Sequence, residues 1–330
     1  MKSQPCLTFF CELPAEQLKE CFSAATIHTL KELHANLSLG IKDFSNERAA
    51  IVQQLTKAGI PVTAWILLPE EKGYWTSLDT VAETATVYAQ FKAWTVKHKL
   101  QWAAIGLDIE PRYNKISLFG PNWIKTTPNI FLRMFQTGKY RRLEGDLRAL
   151  INLIRNDGYA VETYNFPFVV DERIADSNVF AKAMGITALN SDREVLMLYS
   201  SGFDKNGDAI LWSYAHQAQG IGLGSTGGGV ILDDDQPMKA IRWLDLRRDL
   251  LIASSFTERI YIFSLEGCIA NQYLEKLVNF DWNGSVQMPE ENGQKISLLR
   301  KGMQGLLWIL SHLAAVLLIL LGIRSLKKKK

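Results

Sequence analysis

Eight short apolar runs alternate with helical sequence between Cys6 and Asn279, and this rhythm constrains the fold more than any other feature of the 330 residues. Strand-like sequence spans Cys6 to Glu12, Asn36 to Phe44, Pro61 to Pro69 and Trp102 to Pro111. It returns at Tyr159 to Phe168, Glu194 to Ser200, Gly220 to Gly229 and Arg259 to Gly267. Helical stretches separate these runs, with Asn46 read as a cap, Gly59 and Asp157-Gly158 as stops, and Ser77 as the opening of a long amphipathic helix. Buried parallel strands are apolar almost throughout because helices cover them, so the repeat predicts a (β/α)8 barrel over residues 1–280. A doubly wound open sheet is the alternative.

In a barrel of this kind the functional groups gather at the C-terminal ends of the strands. Glu12, Asp43, Asp108, Glu110, Tyr164, Asn165, Tyr199 and Glu266 all fall at such ends. The pair Asp108 and Glu110 carries the most chemistry. Residues i and i+2 of a strand share a face, so two carboxylates stand side by side where the fourth strand ends. Crowding them raises at least one pKa, which keeps a carboxylic acid protonated near neutral pH. A helix cap or a salt bridge to Arg112 is the plainer reading of the same residues.

The segment Gly-Leu-Asp-Ile-Glu ending at Glu110 resembles the last part of the D-G-x-D-x-D-x-E signature of family 18 chitinase-like glycoside hydrolases. Asp108 and Glu110 match its final D-x-E, while Ala103 and Gly106 stand where the first two aspartates would be. Met197-Leu198-Tyr199 is similar to that family's M-x-Y, with Ser200 in place of the following Asp. The S-x-G-G of strand three and the tryptophan of strand eight are missing, Ser264 and Glu266 standing at the latter. The resemblance implies a relative of glycoside hydrolases in which Glu110 protonates a glycosidic oxygen. Asp108 would hold Glu110 or an N-acetyl group, and Tyr199 would contact the transition state or the acetamido oxygen. A catalytically inactive glycan- or partner-binding barrel is the alternative function. Glu266 permits a second scheme with two carboxylates across the barrel, or else caps the helix after Gly267. Met197, Tyr164 and Asn165 are further candidates for substrate contact. Tyr74 and Trp75 offer flat faces for a sugar ring, and Trp65 reads as barrel core.

No H-E-x-x-H, G-x-S-x-G or paired metal-ligand set occurs, so neither a metal nor a cofactor is expected. The glycines between Gly220 and Gly229 lack a P-loop lysine. Cys6, Cys11, Cys21 and Cys268 have no metal-ligand spacing and read as structural thiols. The tail 324–330 holds five of the 37 basic residues, which leaves the rest near neutral and argues against nucleic acid as a partner. The excursion from Pro111 to Leu143 has seven basic residues, no acidic one and six aromatics. It is either a lid for an anionic or lipid-linked glycan, a patch on anionic headgroups, or a loop with a solvated basic helix over 129–142.

The uncharged run Gly305 to Ile323 between Lys301 and Arg324 has the length of a single transmembrane helix. The expected organisation is therefore a barrel, a polar linker over 281–304, a C-terminal membrane anchor over 305–323 and a basic tail. The partners would then be a lipid bilayer and a carbohydrate or glycolipid. The absence of an apolar run after Lys2 favours a cytosol-facing barrel, whereas Lys327 and Lys328 resemble a dilysine signal that demands the opposite orientation.

Overall fold

The computed structural model describes residues 4–112, 133, 136–203, 205–228 and 239–313. Eight parallel strands close into a barrel in sequence order. They are β1 (Cys6–Cys11), β2 (Asn36–Ile41), β3 (Val62–Ile66), β4 (Ala104–Ile109), β5 (Val161–Asn165), β6 (Arg193–Met197), β7 (Gly220–Gly224) and β8 (Arg259–Phe263). Closure is made by β1 against β8, with Cys6 opposite Arg259 and Phe10 opposite Phe263. That pairing excludes the open doubly wound sheet.

The two-residue period of each strand sorts its side chains into two cores. In β1, Leu7, Phe9 and Cys11 join the large outer core shared with the helices, while Phe10 joins a smaller one inside the barrel. The inner core holds Phe10, Trp65, Leu67, Tyr74, Tyr164, Val195, Met197 and Tyr261. Its rings meet edge to face, Phe10 lying 4.8 Å from Tyr164 and 5.2 Å from Trp65 between centroids. Such large groups fit because glycines face them. A Cβ on Gly106 would stand 2.5 Å from the Tyr164 hydroxyl, and one on Gly220 would stand 3.0 Å from the Tyr261 ring. Below the rings, Tyr164 and Tyr261 each donate to Glu162 Oε2 at 3.3 Å, and Arg193 forms an ion pair with Glu162.

Local chemistry sets the helix starts. Ser23 and Ser45 accept from the backbone N–H three residues on, opening Ala24–Glu32 and Asn46–Lys57. The cap of the second helix is thus Ser45, with Asn46 already helical. Helix Thr137–Asn156 is continuous past residue 142, where the basic helix read from the sequence ended. Most of the basic excursion, including 113–132, lies outside the described residues.

The C-terminal expectation requires correction. No helix among the described residues is long and apolar enough to cross a membrane. The single-pass anchor and the membrane placement of a cytosol-facing barrel are overturned together. Residues 314–330 lie outside the described residues. The stretch read as a linker instead contributes to helix Glu290–Ser311, which lies along helices Gly207–Ala215 and Phe168–Ile174. A buried ionic cluster holds it there. Arg300 Nε donates to Asp171 Oδ1 at 3.0 Å, its Nη1 bonds Ser213, and its guanidinium lies 3.5 Å from the Tyr214 ring centroid. Gln304 Nε2 adds a 2.6 Å bond to the same Asp171 oxygen. The run beginning at Gly305 enters this same helix, whose Arg300 is buried against the barrel while Leu298 and Leu299 face outward.

Two outcomes follow for stability. Gly106→Ala drives a methyl into Tyr164 and should lower unfolding free energy by about 1–3 kcal/mol in chemical denaturation, the usual cost of overpacking. Arg300→Ala leaves Asp171 buried without its cation and should cost about 3–5 kcal/mol by the same measurement.

Candidate active site

The upper end of the barrel interior is acidic. Strand alternation that places Phe10 inside also brings in Glu12, one residue beyond β1, and Glu12 is only 6% exposed. Gly106 and Asp108 of β4 point inward likewise, and Glu110 follows just past the strand end. The loop after β3 is tied to this place by backbone bonds. Thr76 N–H donates to the Asp108 carbonyl at 3.0 Å, and Glu110 N–H donates to the Thr76 carbonyl at 3.2 Å. These bonds swing Tyr74 over the mouth, where its hydroxyl donates to Glu12 Oε1. Trp75 stands edge-on to Tyr74, with centroids 5.6 Å apart. From the far side, Glu266 Oε1 accepts from the Glu12 N–H at 3.3 Å.

Burial and mutual charge shape the protonation of this cluster. Asp108 is 5% exposed, its Oδ1 has no partner among the described residues, and desolvation pushes its carboxyl well up, with Glu110 and Glu12 adding to the effect. Glu110 is pushed up to about 8, mainly by desolvation; its hydrogen bond with Asp108 opposes the rise and the Glu12 charge reinforces it. Glu266 rises to about 7, again first through desolvation, and its Oε2 lacks a partner among the described residues. Tyr199 is raised by burial and then by Asp108, Glu110 and Glu12. Its ring stacks on Phe263 at 6.0 Å. Glu266 lies in the first turn of helix Leu265–Ala270, but the cap of that helix is Ser264, whose Oγ accepts from Gly267 N–H at 3.1 Å.

The structure thus brings together Glu12, Tyr74, Trp75, Asp108, Glu110, Tyr199 and Glu266. Other residues singled out in the sequence go elsewhere. Asp43 accepts from Arg48 at 2.6 Å; although desolvation opposes it, hydrogen bonds from Arg48 and Ser45 hold its carboxyl below the usual range. Asn165 faces out of the barrel and donates to Thr163 Oγ1 at 3.1 Å and Glu194 Oε1 at 3.4 Å. Tyr164 lies deeper in the interior, its hydroxyl 2.8 Å from Ser38 Oγ. Met197 belongs to the inner core below Tyr199. Sequence reading overlooked Phe263 and Phe166, which pack against the inner core, Phe263 stacked on Tyr199; the alternation of β8 and β5 was the signal that could have found them. Among the described residues no group of three or more His, Cys, Asp or Glu is arranged to hold a metal ion. A cavity of about 230 Å³ lies at the opposite end of the barrel, lined by Thr8, Asn36, Thr63, Ala104, Glu162 and Arg193, away from the acidic cluster.

No family model matches the chain, and no curated protein sequence matches it. Solved structures do. The glycoside hydrolase domain of PgaB (BpsB) from Bordetella bronchiseptica matches over 84% of this chain and 99% of its own, at 12% identity and a TM-score of 0.49. The spore cortex-lytic enzyme SleL of Bacillus megaterium QM B1551 matches over 87% of this chain and 76% of its own, at 10% identity and a TM-score of 0.46. An L-ribulose 3-epimerase matches over 96% and 98%, at 11% identity and a TM-score of 0.43. Identities and scores this low transfer no chemistry, so the residues of the mouth must carry it.

The raised carboxyl of Glu110 makes a stability prediction. A carboxyl whose folded pKa, about 8, exceeds its unfolded value of about 4.3 adds stability that is complete below the lower value and lost as pH rises through the upper one. Glu110→Gln removes that dependence. Thermal melts between about pH 4.3 and 8 should therefore show the variant gaining on the parent protein as pH increases.

Proposed function

We propose that this chain is a glycoside hydrolase that cleaves a glycan at the upper mouth of its barrel by carboxylate acid–base chemistry. The observation that carries the reading is Glu110, paired with Asp108 at the end of β4 and raised to about 8, so that it still holds a proton at neutral pH. A glycosidic bond breaks slowly because its leaving oxygen departs as an alkoxide, and a positioned acid removes that charge. Glu110 supplies the proton to that oxygen. Asp108 hydrogen-bonds Glu110 and orients it. Tyr199 stands within the field of both and presents a hydroxyl that stays protonated, suited to contact the developing positive centre or an acetamido oxygen. The faces of Trp75 and Phe263 offer apolar surface for a pyranose ring. The partial D-x-E and M-x-Y resemblance favours an N-acetylated sugar, with Asp108 and Tyr199 toward the acetamido group.

The experiment is hydrolysis of a panel of glycosides by the intact chain, including N-acetylglucosaminides, chitooligosaccharides, peptidoglycan fragments and glycolipids. Glu110→Gln should lower the rate by about 10²–10⁴-fold, the usual worth of a positioned general acid. The activity of the parent protein should fall as pH rises through about 8, where Glu110 loses its proton. A variant as fast as the parent would remove Glu110 from the role. Absence of turnover on every substrate would favour a barrel that binds glycan without cleaving it.

A further inference from the structure

We propose that the pit at the lower end of the barrel is a binding site for a small hydroxy-carboxylate, gripped by the free edge of the Arg193 guanidinium. The site lies away from the acidic mouth and stands whether or not the mouth hydrolyses glycans. Barrels of this kind are normally filled by side chains throughout. The two-residue period that carries Phe10, Trp65 and Gly106 inward also carries Thr8, Thr63 and Ala104 inward one step lower. These three are small, so the layer beneath the aromatic plug leaves a cavity of about 230 Å³. Pockets for drug-sized ligands hold about 300–1,000 Å³, so this one suits a molecule of a few carbons.

A recognition group is built into the wall of this pit. Arg193 enters it from the start of β6. Its ion pair with Glu162 and its bond from the guanidinium to the Tyr261 hydroxyl at 3.5 Å both run from Nη1. The Nε–Nη2 edge is left without a partner among the described residues, and the side chain is 34% exposed. Two N–H groups on such a planar fork match the two oxygens of a carboxylate. Glu162 does not compete for that edge. It is 2% exposed, and its other oxygen already accepts from Tyr164 and Tyr261, each at 3.3 Å. Across the pit, the hydroxyls of Thr8 and Thr63 bond to no other described residue and are available to a hydroxyl of the ligand.

Charge decides which anion fits. Glu162 is paired with Arg193, and Asp192 at the rim is paired with Arg155 through bonds of 3.0 and 3.1 Å. The two pairs leave the pit close to neutral, with two carboxylates in its lining. A single negative charge is accommodated at the Arg193 edge. The second charge of a dianion such as phosphate would face Glu162 and Asp192, which repel it. The ligand is therefore a monocarboxylate.

Calorimetric titration of the intact chain with glycolate and D-glycerate tests this, with glycerol and inorganic phosphate in parallel. Saturable binding of the carboxylates at one site is expected, with phosphate weaker and glycerol not bound. Arg193→Lys keeps a cation beside Glu162 but loses the fork, and should weaken binding about 10–100-fold, the worth of one charge-assisted hydrogen bond. Thr63→Val preserves the shape and removes one hydroxyl, and should weaken D-glycerate about 3–10-fold. Ala104→Leu fills the floor of the pit and should abolish binding, with circular dichroism confirming that the barrel is intact. No saturable binding of either carboxylate, or unchanged affinity in Arg193→Lys or Ala104→Leu, would overturn the assignment. Phosphate bound more tightly than the carboxylates would overturn it too. So would binding lost in Glu110→Gln, since the ligand would then sit at the upper mouth.

Discussion

The physical constraint on which the rest of the structure depends is the plug of aromatic rings inside the barrel. Eight strands closed on themselves commit every second residue to the barrel interior, and that volume must be filled. Phe10, Trp65, Tyr164 and Tyr261 fill it, opposite glycines that surrender their own side-chain volume. The plug gives the upper carboxylates an apolar floor. Asp108 and Glu110 are desolvated from below by rings and from the side by the loop that Thr76 stitches to β4, and desolvation is the first cause of both of their shifts. Proximity of like charges comes second. The protonation pattern of the mouth is therefore a consequence of how the barrel is packed.

The same interior shows two ways of burying a carboxylate. At the lower end Glu162 is compensated by Arg193 and by two tyrosine hydroxyls. At the upper end burial and then neighbouring carboxylates raise the shifts, with no cation among their causes. Paired burial is what structural maintenance looks like. Acids crowded together with unpartnered oxygens suit a site that holds and releases protons, which is the ground for proposing the upper end as the site.

Much of this was legible from residue order alone. The strand–helix rhythm marked all eight strands, and a two-residue period was enough to put Asp108 and Glu110 on one face. What failed had physical causes. Asn165 lies one position from Tyr164, so the alternation that sends the tyrosine inward sends the asparagine out to Thr163 and Glu194. Asp43 was indistinguishable from a rim acid until the helix beginning at Asn46 brought Arg48 back onto it. The bond from Tyr74 to Glu12 joins residues 62 positions apart and has no local signature. Helix Glu290–Ser311 docks through the face that carries Arg300 and Gln304, and their pairing with Asp171 has no local signature in the sequence.

That docking has a bearing on biosynthesis. Asp171 is fully buried, and its compensating cation arrives from a helix 129 positions further along the chain. A barrel emerging from the ribosome holds all eight strands well before Arg300 appears, with an uncompensated acid on its flank in the meantime. Helix Glu290–Ser311 is thus a latch: until it docks, Asp171 lies without its cation beside helices Phe168–Ile174 and Gly207–Ala215.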